Sequence, residues 1–207
     1  QVLNTLEGDL QKMDQATLSL LSNLDVLQAI RDLSVKMADP QKNELDIIDE
    51  KALIRNTIYT AYNLDNFYRV VVYNRYGYIA ASSYMQDRLV DTSVKVFEIP
   101  WLASVQGTKG KNVLIAPHAD DWAASETKRR VYSRVKEIQG NNLGFIEVQQ
   151  TEEHLEELLT FPNETVQGIV LDEKGKVFWV SDNLETKDYE QYFQLEDSVF
   201  DKTNETN

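Results

Sequence analysis

Residues 67–83 read FYRVVVYNRYGYIAASS. Phe67, Arg69, Val71 and Tyr73 alternate with Tyr68, Val70 and Val72, and β-branched and aromatic residues of this kind suit a pleated, half-buried surface. Asn74, Arg75, Tyr76 and Gly77 supply a turn, with Gly77 free to take positive φ. Tyr78 to Ala81 then lead to Ser82 and Ser83. Two short antiparallel strands around a tight turn follow, so a sheet has to form here. The segments before it read as helix, and most of those after it as antiparallel sheet.

Residues 2–38 form one helix candidate. Leu3, Leu6, Leu10, Met13, Thr17, Leu20, Leu24 and Leu27 are spaced alternately by three and four, a heptad seam held for about four heptads. Leu18, Leu21, Val26, Ile30, Leu33 and Val35 widen the apolar surface of the second half. The seam can pair with the same helix of another chain or pack along its own domain. The width of the stripe favours the second. Asp39-Pro40 ends or kinks this helix, with Asp39 as the expected N-cap of the next. That helix carries Leu45, Ile48, Ala52, Ile54 or Arg55, Ile58, Ala61 and Tyr62 on one face, and ends in the turn formers of residues 63–66.

After the hairpin, Pro100-Trp101 and the run at 106–111 signal loops, with a short helix near Trp101–Val105. Asn112–Ala116 reads as an apolar strand, and Pro117–Ser125 (PHADDWAAS) as a polar loop. Residues 129–139 and 143–149 alternate as two strands around a turn at 140–142. Thr151 then caps a helix with Leu155, Leu158 and Leu159 on its apolar side. IVLDEKGKVFWVS, ending at Ser181, repeats the pattern of VVYNRYGYIAASS: apolar strand, Asn or Asp, a turn with Gly, apolar strand, Ser. The tail from Leu184 is acidic and polar.

A formal charge of −13 argues against nucleic acid, whose phosphates select Lys and Arg clusters, and against docking on anionic lipid. There is no cysteine, so disulfides, thiolate metal sites and cysteine nucleophiles are excluded. No stretch approaches the ~20 apolar residues of a membrane span, and there is no signal peptide pattern. The start at Gln1 rather than Met reads as a processed or excised form from which membrane segments have been removed.

The order of elements, carried by Phe67–Ser83, YSRVKEIQGNNLGFIEV (132–148) and IVLDEKGKVFWVSDN (169–183), resembles the double Cache family of PAS-like extracytoplasmic sensor domains, and within it the sensor regions of bacterial membrane histidine kinases. The resemblance implies an α+β fold, in which a long N-terminal helix packs on a five-stranded antiparallel PAS-like sheet and a ligand is held on the other face. It divides the chain into a helical stalk and second helix (1–64), a membrane-distal Cache domain (65–162), and a reduced or truncated membrane-proximal hairpin unit (163–207). It implies the ligand-sensing, non-enzymatic part of a transmembrane signalling receptor, a sensor histidine kinase of a two-component system. The alternatives are the sensor of a chemoreceptor or cyclase-type receptor, or an interaction module that binds no ligand. The implied partners are an unidentified small molecule and a second copy through the N-terminal helix. No cofactor and no nucleic acid is implied, and membrane contact is made only through absent transmembrane helices of a bacterial cell-membrane protein.

In such domains the pocket lies between the hairpin and the central strands, here about Tyr84–Trp122. Trp101 and Trp122 are candidate walls or core tryptophans. His118, Asp120 and Asp121 sit together in PHADDW and could hold an amine or a sugar hydroxyl, bind a cation, or serve as plain turn chemistry. Tyr132 and Arg134 share a face of one strand. If that face lines the pocket, Arg134 can meet an anion bidentately; otherwise it pairs with a glutamate. Tyr78 and Ser82 are further candidates. The family's arginine–tryptophan–tyrosine pattern for an amino-acid carboxylate has no clear copy. No catalytic spacing such as HExxH, GxSxG or a P-loop occurs; a hydrolase built on His118 and Asp120 is the remaining enzymatic alternative. Two Asn-x-Thr sequons begin at Asn163 and Asn204 and read as chance matches in a bacterial chain.

Overall fold

The structure, a computed structural model, describes residues 2–61, 67–82, 89–124, 128–140, 143–159, 168–172 and 175–181. The turn formers at 63–66, Ser83, Asn141 and Asn142, the tail from Leu184 and both sequons lie outside the described residues. The chain divides into two compact units, Gln1–Thr160 and Phe161–Asn207.

The expected single N-terminal helix is two, α1 (Val2–Ser22) and α2 (Leu24–Lys36). Asn23 separates them. Its backbone is extended, and its side-chain oxygen accepts from the backbone N–H of Asp25 at 3.0 Å and of Val26 at 3.2 Å. That is an N-cap, and it starts a new hydrogen-bond ladder. The heptad phase is lost at the same point. Leu6, Met13, Thr17 and Leu20 are buried, but Leu24 is 78% exposed, and Val26, Ala29, Ile30 and Leu33 take over the inward face. The described seam thus packs along its own domain. The next cap is Asn43, not Asp39. Asp39 instead closes a turn by accepting from Gln41 N–H, and Asn43 caps a 3₁₀ turn (Glu44–Ile47) that runs into α3 (Ile48–Ala61). The inward residues there are Ile47, Ile54 and Ile58; Leu45 and Ile48, expected on that face, are exposed.

Five strands form one antiparallel sheet in the order β2-β1-β5-β4-β3: β1 (Arg69–Asn74), β2 (Gly77–Ala81), β3 (Asn112–Ala119), β4 (Arg130–Glu137) and β5 (Phe145–Thr151). The hairpin at 67–83 and the pair at 129–149 therefore share a sheet, as expected. Asn74 tightens the β1–β2 turn by accepting from Tyr76 N–H at 2.9 Å, and Gly77 takes φ +137°. Gly144, at φ +126°, lies so close to β1 that an added Cβ would stand 2.2 Å from the Tyr73 carbonyl oxygen. Only glycine lets β5 enter beside β1 there. β3 runs past Pro117 to Ala119, so His118 belongs to a strand and not to a loop. Pro117 is tolerated because β3 is an edge strand and its pairing with β4 is irregular between Ile115 and His118. The short helix expected near Trp101 is a 3₁₀ turn, Leu102–Ser104, preceded by another at Val96–Glu98.

The register sorts the sheet's side chains onto two faces. α1 lies on β4 and β5 and α3 on β2. On this helix side, Asn74 reaches Met37 at the end of α2, and Tyr132 and Arg134 reach α1. The other face carries Arg69, Val71, Tyr73, Ser133, Val135, Phe145, Glu147 and Gln149. It is covered by the segment between β2 and β3, whose Val96, Ile99, Leu102 and Val105 form one apolar cluster with Tyr73, Trp122 and Phe145. Thr151 caps α4 (Glu152–Leu158) through the His154 N–H, as expected.

In the second unit, β6 (Ile169–Leu171) and β7 (Val177–Val180) pair antiparallel. The turn repeats the chemistry of the first hairpin: an Asx oxygen, here of Asp172, accepts a backbone N–H across the turn, and Gly175 holds φ +75°.

Candidate functional site

The covered face of the sheet is built from polar groups at alternate positions of its central strands. Arg69, on β1, is fully buried beside Asp120, at the end of β3, which is fully buried too. Its Nη1 donates to both carboxylate oxygens, at 2.8 Å and 2.6 Å. The Asp120 carboxylate also accepts from Trp122 N–H at 3.0 Å and from Gln149 Nε2 at 3.3 Å, with the Tyr68 hydroxyl 3.4 Å away. Every direction around this carboxylate is taken. A buried ion pair survives only when hydrogen bonds complete it in this way. Asp120 is thereby a clamp between the strand-end loop and the sheet.

Glu147, on β5, is held differently. Its Oε1 accepts from Ser133 Oγ at 2.7 Å and Gln149 Nε2 at 2.9 Å, and its Oε2 from Trp122 Nε1 at 2.8 Å. All three donors are neutral. Complete burial pushes the carboxyl pKa up, against the opposing pull of His118 and the hydrogen bonds. Trp122 is itself fully buried, with its ring 4.8 Å from that of Tyr73. It is a core tryptophan with a polar handle on Glu147.

Near the surface of the same cover, Trp101, His118 and Asp121 meet. Trp101 Nε1 donates to Asp121 Oδ2 at 3.0 Å, and the Trp101 and His118 rings stand edge to face at 5.7 Å. His118 Nδ1 lies 2.9 Å from the Ala116 carbonyl, so it carries the proton. His118 Nε2 is buried, has no hydrogen-bond partner, and sits 3.8 Å from Asp121 Oδ2. Burial raises the Asp121 pKa, partly offset by His118 and the Trp101 bond. Behind them, Tyr73 is fully buried and its hydroxyl has no partner. Desolvation raises its pKa well above the ordinary value, with the charges of Glu147 and Asp121 adding to the effect, so the phenol stays neutral. A fully buried hydroxyl with nothing to bond is an exception among folded proteins.

The structure thus brings Trp101, His118 and Asp121 into one cluster and sets Asp120 and Trp122 just inside it. Tyr78 packs against the same apolar cluster. Ser82 is buried and exchanges two bonds with Val70: its Oγ accepts from Val70 N–H at 2.8 Å and its own N–H donates to Val70 O at 2.9 Å. It extends the β1–β2 ladder. Tyr132 and Arg134 share a face as expected, but it is the helix-covered one. Tyr132 Oη donates to Asp9 Oδ2 at 2.7 Å, with His154 Nε2 3.4 Å from the other Asp9 oxygen. Arg134 forks onto Asp14 at 2.8 Å and 2.7 Å, an aspartate of α1 and not a glutamate. These two side chains hold α1 to the sheet and point away from the cluster. The hydrolase alternative paired His118 with Asp120; here Asp120 is locked to Arg69 and His118 stands beside Asp121.

Sequence reasoning missed Arg69, Tyr73, Ser133, Glu147 and Gln149. The available signal was the phase of GFIEVQQ. Glu147 and Gln149 alternate with Ile146 and Val148, and a central strand covered on both faces has to bury both sets. A cleft of about 300 Å³ lies elsewhere, at the turn end of the sheet between Arg75, Gln106, Glu137 and Leu143, and none of the expected site residues lines it. Among the described residues, no group of three His, Cys, Asp or Glu could hold a metal ion, and no helix is long and apolar enough to cross a membrane.

No protein-family model matches the sequence, and no curated protein matches it either. Solved structures similar to it include the ligand-binding domain of the Pseudomonas aeruginosa amino acid chemoreceptor PctC in complex with GABA. That match is 14% identical, covers 87% of this chain and 71% of that one, and has a TM-score of 0.49. The ligand-binding domain of the Campylobacter jejuni chemoreceptor Tlp3 with L-valine is 14% identical over 92% of this chain and 82% of that one, with a TM-score of 0.48. The sensory domain of the same receptor with isoleucine matches at 14% identity over the same shares, with a TM-score of 0.47. At such identities and scores the reading of the site rests on its own geometry.

Proposed function

We propose that this chain is an extracytoplasmic ligand-sensing domain of a transmembrane signalling receptor, binding a small molecule on the covered face of its five-stranded sheet. The observation that carries the reading is the fully buried, unpartnered Tyr73 hydroxyl behind the half-buried Trp101–His118–Asp121 cluster. A mainly apolar wall with a few convergent polar groups is how small-molecule sites are built. The arrangement of helices on one face and a covered site on the other agrees with the sequence resemblance to Cache sensors. A sensor histidine kinase is the receptor type that resemblance favours. A chemoreceptor uses the same kind of domain, and the cytoplasmic output module of the full-length protein distinguishes the two. Pairing of two copies through the N-terminal helix would use the outer face of α1, where Leu18 is 53% exposed, because Leu6, Met13 and Leu20 are buried within one chain.

The test is thermal denaturation of the domain against amines, amino acids, organic acids, sugars and short peptides. A ligand at ~100 times its Kd adds roughly 2.7 kcal/mol to the folded state, which raises Tm by several degrees. Trp101→Ala should abolish the shift. A flat response across all classes overturns the reading in favour of a module that works by protein contact.

A further inference from the structure

We infer that α1 is seated on the sheet by a proton-dependent contact, Asp9 with His154 and Tyr132, so that a fall in pH tightens this helix against the domain. The inference goes beyond the ligand-sensing reading and does not rest on it, because the contact lies on the helix side of the sheet.

Asp9 stands where the helix pattern calls for an apolar residue. It follows Leu6 by three positions and precedes Met13 by four, and all three are buried, as are Thr17 and Leu20. An aspartate is rarely buried without a partner. Its Oδ2 accepts from the Tyr132 hydroxyl at 2.7 Å, and burial beside Asp9 keeps that phenol neutral. Its Oδ1 faces His154 Nε2 at 3.4 Å. Among the described residues no Lys or Arg pairs with Asp9; its charge partner is His154, and only when the ring is protonated.

α4 sets the histidine in place. The His154 backbone N–H donates to Thr151 Oγ1 at 3.2 Å, and the side chain is 32% exposed, so protons reach it from water. α4 packs on α1, β4 and β5, and the charges on these elements favour the cationic ring. α4 itself carries Glu152, Glu153, Glu156 and Glu157. α1 adds Glu7 and Asp14 against Lys12. The near end of β4 carries Arg130 and Arg134, but these are turned to Glu152 at 2.5 Å and to Asp14 at 2.7 Å; Lys136 and Glu137 lie at its far end. β5 presents Ile146, Val148 and Gln150 on this face, with Glu147 on the other. The dipole at the start of α4 opposes a cation, and the four glutamates of the same helix offset it.

A histidine changes charge between about pH 5 and 8. Towards the acid end, Asp9 holds an imidazolium from α4 and a hydroxyl from β4, and charge-assisted bonds are roughly twice as strong as neutral ones. Towards the alkaline end, Asp9 keeps the Tyr132 hydroxyl and loses its charge partner. The contribution of His154 to the seat of α1 is therefore present at low pH and lost as pH rises. Acidity of the surrounding medium then acts on the domain at a place separate from the covered face.

Hydrogen–deuterium exchange of the domain at pH 5.5 and 7.5, corrected for the intrinsic rates, tests this. Relative to β5, α1 amides should be about three- to fivefold better protected at pH 5.5, the scale of one partly buried ion pair. His154→Gln and Asp9→Asn should each erase that difference, with α1 protected at both pH values as in the parent at pH 7.5. An NMR titration of the parent needs no variant: α1 amide shifts should follow the His154 ring midpoint. His118, on the other face, is the remaining histidine, and a pH difference that survives either substitution assigns the effect elsewhere and overturns the proposal. So does equal α1 protection at both pH values in the parent, or a His154 titration that α1 does not follow. Each result stands whatever the thermal ligand panel finds.

Discussion

The two faces of the sheet bury acids by different rules. On the helix side each buried or half-buried acid of α1 meets a donor from β4: Asp9 takes the Tyr132 hydroxyl, and Asp14 takes the fork of Arg134. On the covered side one acid, Asp120, is matched by Arg69, while Glu147 has only neutral donors and Tyr73 Oη has none. The first face completes itself and therefore holds an element in place. The second is left with unspent hydrogen-bonding capacity, the property a binding face needs. Stability and recognition draw on the same residue types here, and the difference is whether the partner is inside the chain.

The largest effect should come from Arg69→Met. It strands a fully buried carboxylate, and removing one partner of a buried pair costs about 3–5 kcal/mol, read from the urea midpoint. Adding Asp120→Leu should restore most of the loss. A single-variant loss below about 1 kcal/mol would show that water reaches Asp120 and that the covered face is not dry. Gly144→Ala comes next, at about 3 kcal/mol, the upper range for one strained backbone position. No loss there would mean that β5 can draw back from β1. The two tyrosines then put the comparison to a direct test. Tyr132→Phe leaves Asp9 short of a donor and should cost roughly 2 kcal/mol. Tyr73→Phe removes a hydroxyl with no partner and should cost nothing or stabilise slightly. Equal losses would erase the distinction between the faces. The finest effect is one of slope. The folded Glu147 pKa is raised above the ordinary 4.5. Its contribution is therefore fully present below pH 4.5 and is lost as pH rises through the folded value. Stability measured from pH 4 upward should fall less steeply in Glu147→Gln than in the parent. Parallel profiles would mean that Glu147 stays ionised throughout.

The parts of this fold that were legible in sequence are the ones set by local chemistry. Alternation and a Gly turn placed β1 and β2, and Thr151 announced α4. The break at Asn23 was hidden because the three–four spacing of Leu20, Leu24 and Leu27 runs straight across it, and apolar spacing carries no information about a cap. Pro117 disguised the end of β3, since only the sheet order reveals that this strand is at an edge. The site divided the same way. PHADDW advertised His118 and Asp121 through residue type alone. That Tyr132 and Arg134 share a face followed from period two, but which face meets the helices is a tertiary fact. Arg69, Tyr73 and Glu147 became visible only once both faces of β1 and β5 were seen to be covered.

The cap at Asn23 also has a mechanical meaning. Hydrogen bonding within a helix is cooperative along one ladder and stops where the ladder stops. α1, fastened to β4 through Asp9 and Asp14, and α2, which ends against Asn74 through Met37, are consequently two rods meeting at a joint. A pull or twist applied at residue 2 is delivered to the sheet along α1 and need not unwind the rod beyond it. Val2–Ser22 forms a separate lever with its own fulcrum on the sheet.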